Sequence, residues 1–253
     1  MAGENAGEDD SDAEDVAQRR RIVATLSDSV RAVPTAEVPA SLCKAVLGLL
    51  PVTGLSVQVR GGGSGMSVVL CASDATAAHL TELQYTLGEG PAVESARLRA
   101  PVLAADLTQG ADARRWPLFA RQAVAAGAEA VFSVPLGTAV SHLGSLDMYR
   151  DGAGPLAQEE LRCAMWAADA VLEIIMLFER QPSMDGAIDE WLDAAVIDHE
   201  DVYQAAGMIM VAMDISADEA LSRLRARAFA QGQTATQVAH DIVNRRLDIN
   251  GHE

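Results

Sequence analysis

Apolar residues change their spacing twice along this chain, and that change constrains the fold more than any other feature. Leu55-Ser-Val-Gln-Val-Arg60 alternates apolar and polar residues, and the strongly apolar Met66-Ser-Val-Val-Leu-Cys71 follows after Gly61-Gly-Gly-Ser-Gly65. Two short strand-like runs on either side of a glycine cluster predict a β-hairpin. The cluster is a poor phosphate-binding loop, because no Lys-Ser or Lys-Thr follows it and a strand, not a helix, comes next. Further strands are predicted at 101–105, 130–136 and 144–149, and helices at 41–50, at 117–126 and from Gln158 onward. An earlier helix carries Val16, Ile22, Val23, Leu26 and Val30 and must end before Pro34, since the residue before a proline is pushed out of the helical region. Strands in hairpins with helices gathered around them define an α+β domain on an antiparallel sheet.

From Ala164 the spacing alternates between three and four. Ala164, Ala167, Val171, Ile174 and Phe178 lead through the polar Gln181 and Asp185 to Ile188, Leu192, Ala195, His199, Val202, Ala206, Ile209 and Met213. This is a heptad frame, which Pro182 should kink. It predicts either a coiled-coil stalk that pairs two chains or two helices that each pack on their own domain. After Met213, Ser216 with Glu219 and Thr234 with Gln237 are capping boxes that open two short amphipathic helices. A small three-helix module therefore closes the chain.

The 253 residues carry 36 acids against 19 Lys and Arg, a formal charge of −17, which argues against a general polyanion binder. The charge is unevenly spread. Glu4, Glu8, Asp9, Asp10, Asp12, Glu14 and Asp15 lie in residues 1–15, which read as a disordered acidic tail. Residues 204–249, by contrast, balance five acids with Arg223, Arg225, Arg227, Arg245 and Arg246 and contain no Lys. Arginine both stacks on bases and forks onto phosphates, although the same residues could simply complement helix ends or stay solvated.

Nothing in the sequence points to catalysis or to a cofactor. Cys43, Cys71 and Cys163 are far apart and odd in number, so neither a disulfide framework nor a zinc cage is expected, and a reducing cytoplasm fits best. Cys71 reads as a buried strand cysteine. The five histidines have no His or Cys at i+3 or i+4, and His199 reads as semi-buried with a local partner. No nucleophile elbow surrounds Ser64, and Ser145 has no His-Asp context. The amino terminus is acidic where a signal peptide would be basic, and no apolar stretch is long enough for a membrane span.

Val202-Tyr-Gln-Ala-Ala-Gly-Met-Ile-Met-Val211, Ile215-Ser-Ala-Asp-Glu-Ala-Leu221, Leu224-Arg-Ala226 and Val238-Ala239 with Ile242-Val243 resemble the ANTAR domain, an RNA-binding antitermination module, over about residues 188–249. Ala206 stands where many members carry Lys. Residues 20–180 resemble a GAF sensory domain through Leu87-Gly-Glu-Gly-Pro91, Pro101-Val-Leu-Ala-Ala-Asp106, Trp116-Pro-Leu-Phe119 and Leu143-Gly-Ser-Leu-Asp-Met-Tyr149. The pairing is similar to that of actinobacterial GAF and ANTAR regulators. It implies a tail at 1–15, a sensory domain with its amino-terminal helix at 16–180, and a coiled-coil helix with the RNA-binding module at 181–253. It further implies a cytoplasmic, non-enzymatic homodimer that binds paired hairpin loops in nascent transcripts and prevents termination, with the sensory ligand unassigned. The expected RNA contacts are Arg223, Arg225, Arg227, Arg245 and Arg246, then Gln204, Gly207 and Thr236. The alternative is a small-molecule or redox sensor dimer whose helical tail docks a protein partner.

Overall fold

The computed structural model describes residues 5–60, 67–137, 142–180, 191 and 197–246. Two helices lead the chain, α1 (Asn5–Val30) and α2 (Val38–Leu47), followed by strands β1 (Gly54–Arg60) and β2 (Ser67–Ala72). Next come α3 (Ala75–Leu87), α4 (Pro91–Leu98), β3 (Val102–Ala104), α5 (Gly110–Arg115) and α6 (Pro117–Ala125). The domain continues through β4 (Ala130–Gly137), β5 (His142–Arg150) and α7 (Gln158–Arg180). A two-residue strand β6 (Ile197–Asp198) precedes α8 (Glu200–Met213), α9 (Ala217–Gln231) and α10 (Ala235–Val243). The strands form one sheet of order β3-β4-β5-β1-β2-β6, and each neighbouring pair runs antiparallel. The α+β class expected from the sequence is the class observed.

Alternation along the strands gives the sheet two unlike faces. Leu55, Val57, Phe132, Val134, Leu146 and Met148 share one face and form a single core with Ile22 and Leu26 of α1, Leu42 and Val46 of α2, and Ala167, Val171 and Ile174 of α7. On the opposite face, the pairings Ser56↔Asp147, Gln58↔Ser145 and Ser133↔Asp147 align polar side chains across three strands. Ser56, Ser133, Ser145 and Asp147 are all buried. Helix α3 lies over them, its Thr81 hydroxyl 2.8 Å from that of Ser56. Farther along the same face, Val131 and Tyr149 pack with Leu80, Leu83 and Phe119.

Two expectations change, and one open choice narrows. The stretch expected to be a disordered tail is helical from Asn5, continuous with the part of α1 that runs alongside α7, where Asp15 meets Arg162 at 3.3 Å and Arg19 meets Asp169 at 3.7 Å. Cys43 and Cys71 form a disulfide, contrary to the expectation from their spacing: α2 packs on β2, which brings their Cα atoms to 6.3 Å although 28 positions separate them. Of the two readings of the heptad frame, the described residues follow the one in which each half packs on its own domain, with Ile197 and Asp198 pairing with Val69 and Val68 of β2 and His199 capping α8. Its two halves serve separate cores, Ala164, Ala167, Val171, Ile174 and Phe178 in the sheet domain and Val202, Ala206 and Ile209 in the helical module. Gln181, Pro182, Asp185, Ile188, Leu192, Ala195 and the Gly61–Gly65 turn lie outside the described residues.

Candidate nucleic-acid interface

The helical module is built from its caps inward. Ser216 accepts the Glu219 amide at the start of α9, and Thr234 with Gln237 closes a full capping box on α10. Gly232, at φ 65°, ends α9 in the left-handed conformation that glycine adopts without strain. Val202, Ala205 and Ile209 of α8, Ala220, Leu224 and Ala228 of α9, and Ala235, Val238 and Ile242 of α10 fill the space between the three helices.

The predicted RNA contacts divide into two groups. Arg223 and Arg227 are four apart on α9. Arg223 pairs with Glu219 at 2.9 Å and donates to the Met213 sulfur. Arg225, two positions along and so about 200° around the helix, leaves their side and meets the sheet domain. Arg245 and Arg246 are exposed just past α10, Arg245 at φ 55° and Arg246 at 3.9 Å from Asp241. Gln204 is exposed on α8, and a Cβ at Gly207 would meet nothing within 4 Å, leaving open surface there. Thr236, in the first turn of α10, faces the sheet domain with Arg225.

What they face is α3. The Arg225 guanidinium lies 5.0 Å from the centre of the Tyr85 ring, and the same ring stacks on His199 with centroids 3.6 Å apart and planes 17° from parallel. The Glu82 carboxylate takes His199 Nε2 at 3.1 Å, the Thr236 hydroxyl at 2.9 Å and, more distantly, the Thr236 amide at 3.4 Å. The Thr86 hydroxyl accepts the Ala235 amide at 2.9 Å. Burial acts to raise the Glu82 pKa, but the His199 hydrogen bond and charge and the Thr236 donors outweigh it and hold the carboxyl below its ordinary value. Burial pushes the Tyr85 phenol up, with Tyr203 adding to the effect and Arg225 opposing it.

His199 is thus wholly buried, and its carboxylate partner comes from 117 positions away, not from its own neighbourhood as expected. Glu82, Tyr85 and Thr86 were not among the residues singled out from the sequence. The available signal was the pair of helix ends: Asp74 accepts the Ala77 amide at 2.8 Å at the start of α3, and Gly88 caps its end at φ 66°.

The sheet face under α3 is a second polar site. Asp147 accepts hydrogen bonds from Gln58 Nε2 and from the Ser145 hydroxyl, the latter at 2.9 Å, and its burial raises its pKa. The motif residues nearby serve the fold. Glu89 accepts the Leu118 and Phe119 amides at 2.9 Å, capping α6, while a Cβ on Gly90 at φ 131° would collide with Gln84. Among the described residues no three His, Cys, Asp or Glu side chains gather to hold a metal ion, and no helix is long and apolar enough to cross a membrane.

Residues 190–243 match the ANTAR domain, a span that takes in all of α8, α9 and α10. No curated protein matches the chain. Among solved structures, the chain is similar to the GAF domain of a phosphoenolpyruvate-protein phosphotransferase from Coxiella burnetii, at 16% identity and TM-score 0.45 over 64% of this chain and 96% of that one. It is similar to a GAF domain/HD domain protein from Geobacter sulfurreducens at 13% identity and TM-score 0.45, covering 60% and 98%. A free methionine-R-sulfoxide reductase from Thermoplasma acidophilum aligns at 12% identity and TM-score 0.40, covering 57% and 96%. The chain carries an ANTAR domain, an RNA-binding antitermination module, behind an α+β domain.

Proposed function

We propose that this chain is a signal-responsive regulator that binds hairpin loops in nascent transcripts and allows transcription to continue past a terminator. The observation that carries this reading is the match of residues 190–243 to the ANTAR domain across three helices with their own packed core. Residues 16–180 act as the sensory domain, with a ligand whose identity is unassigned, and residues 181–253 act on RNA. Arg223, Arg227, Arg245, Arg246, Gln204 and Gly207 offer contacts on the open side of the module, where unstacked loop bases and phosphates are reached by guanidinium groups. Two copies of the chain present two modules to two hairpins, so a homodimer is part of the proposal, and the work is done in the cytoplasm without an enzymatic step.

Crosslinking RNA to the full chain in cells and sequencing it tests the proposal. The expected result is a set of transcripts sharing a pair of hairpins upstream of terminators; recovery of no enriched RNA overturns it. A second reading, in which the helical tail of a small-molecule or redox sensor docks a protein through exposed apolar residues such as Val211, 86% exposed, and Phe229, 46% exposed, predicts that second result.

A further inference from the structure

Helix α3 offers the helical module two chemical groups in close succession, an aromatic ring and a carboxylate. The ring of Tyr85 stacks on His199 and meets the guanidinium of Arg225. Three positions earlier, the carboxylate of Glu82 accepts from the hydroxyl and amide of Thr236, and between them Glu82 and Thr86 engage the amides of Ala235 and Thr236 in the first turn of α10. A ring on histidine and arginine, beside an anion on helix amino-terminal amides, is the chemistry with which proteins hold an unstacked base and its phosphate. Arg225 and Thr236 are also the two predicted RNA contacts that turn towards the sheet domain and away from the module's open side. The Glu82 carboxylate is buried there with its charge favoured by His199 and by the Thr236 donors, all of them groups of the helical module or its first residue.

We infer that His199, Arg225, Ala235 and Thr236 form a nucleotide subsite of the RNA surface, and that Tyr85 and Glu82 of α3 occupy it in the closed chain, so that RNA and the sheet domain compete for one place. The inference rests on the RNA-binding reading of the module. It assigns α3 as an internal inhibitor. Its other side touches the polar sheet face through Thr81 and Ser56, so a change at that face bears directly on the helix that fills the subsite.

The test measures binding of the full chain to a pool of hairpins with a fixed stem and a random loop, by fluorescence anisotropy. Tyr85→Ala and Glu82→Gln are compared with the parent chain, each first shown to melt cooperatively. Each variant is expected to bind about tenfold tighter, the gain when a closed state favoured about ten to one is released. Adding His199→Ala to Tyr85→Ala should remove the gain, because it takes away the stacking partner of the incoming base. In the parent chain, saturation with the pool should speed hydrogen exchange in α3 around residues 82–88. Equal affinity in parent and variants, or an α3 that stays protected in the saturated complex, overturns the subsite while leaving RNA binding standing. Failure of every chain to bind the pool overturns the RNA reading itself, and the subsite with it.

Discussion

The two faces of the sheet are built from the same strands yet differ in kind. The face under α1, α2 and α7 is a continuous apolar layer in which Phe132, Leu55, Leu136 and Leu146 have no measurable exposure. The face under α3 buries Ser56, Ser133, Ser145 and Asp147, groups that cost free energy in an interior unless hydrogen-bonded. The difference teaches where stability and responsiveness are kept apart. The first face fixes the fold, and the second keeps polar groups beneath a helix, α3, that also touches the module.

Substitutions can break or sharpen that contrast. The largest effect belongs to the apolar face: Phe132→Ala should cost about 3–5 kcal/mol in urea unfolding, through lost burial and the cavity left behind. Next comes the Cys43–Cys71 bridge, which ties α2 to β2 on the same side. Closing a loop across 28 positions is worth about 3.5 kcal/mol on chain-entropy grounds, so a thiol reductant should lower the thermal midpoint of the parent chain and leave a Cys43→Ala variant unmoved. On the polar face, Ser56→Ala removes one of the two partners of the Thr81 hydroxyl and should cost about 1 kcal/mol.

Asp147→Asn is the smallest and has the opposite sign. The folded chain raises the Asp147 pKa above 3.8, so the protonated acid is favoured in the fold and ionisation destabilises it as pH rises through the folded value. The amide should therefore stabilise the chain near neutral pH by under about 1 kcal/mol, and the advantage should vanish as pH falls towards 3.8 in thermal melts.

The same contrast explains what could be read from the sequence. Strand β1 was legible because one apolar face imposes a period of two, β2 and β4 because they are short apolar runs bounded by turn residues, and the caps of α9 and α10 because capping boxes are local. Helix α3 was not, and it carries half of the interface. It buries Thr81, Glu82, Gln84 and Thr86, so its apolar residues show no clean helical period. The arginines of the module were visible as a set, but their division was not, since the direction of Arg225 depends on a helix more than a hundred positions away. The heptad frame left two readings open for a related reason. Two helices can keep one register by count while each faces a different core, and the frame contains no sign that Ile197 and Asp198 would complete the free edge of β2. The disulfide, too, depends on how α2 lands on the sheet.

Strand β6 is only two residues long, yet it sets the terms of the competition at the module. Pairing Ile197 and Asp198 with β2 anchors the chain one residue before His199, so the module is tethered beside α3 and never diffuses away from it. A surface held this way meets its partner at a local concentration on the order of millimolar. Mass action then keeps α3 seated even if its intrinsic affinity is weak, and an RNA must overcome that local concentration as well as the contacts. Loosening the edge strand would dilute the inhibitor without altering a single residue of the subsite.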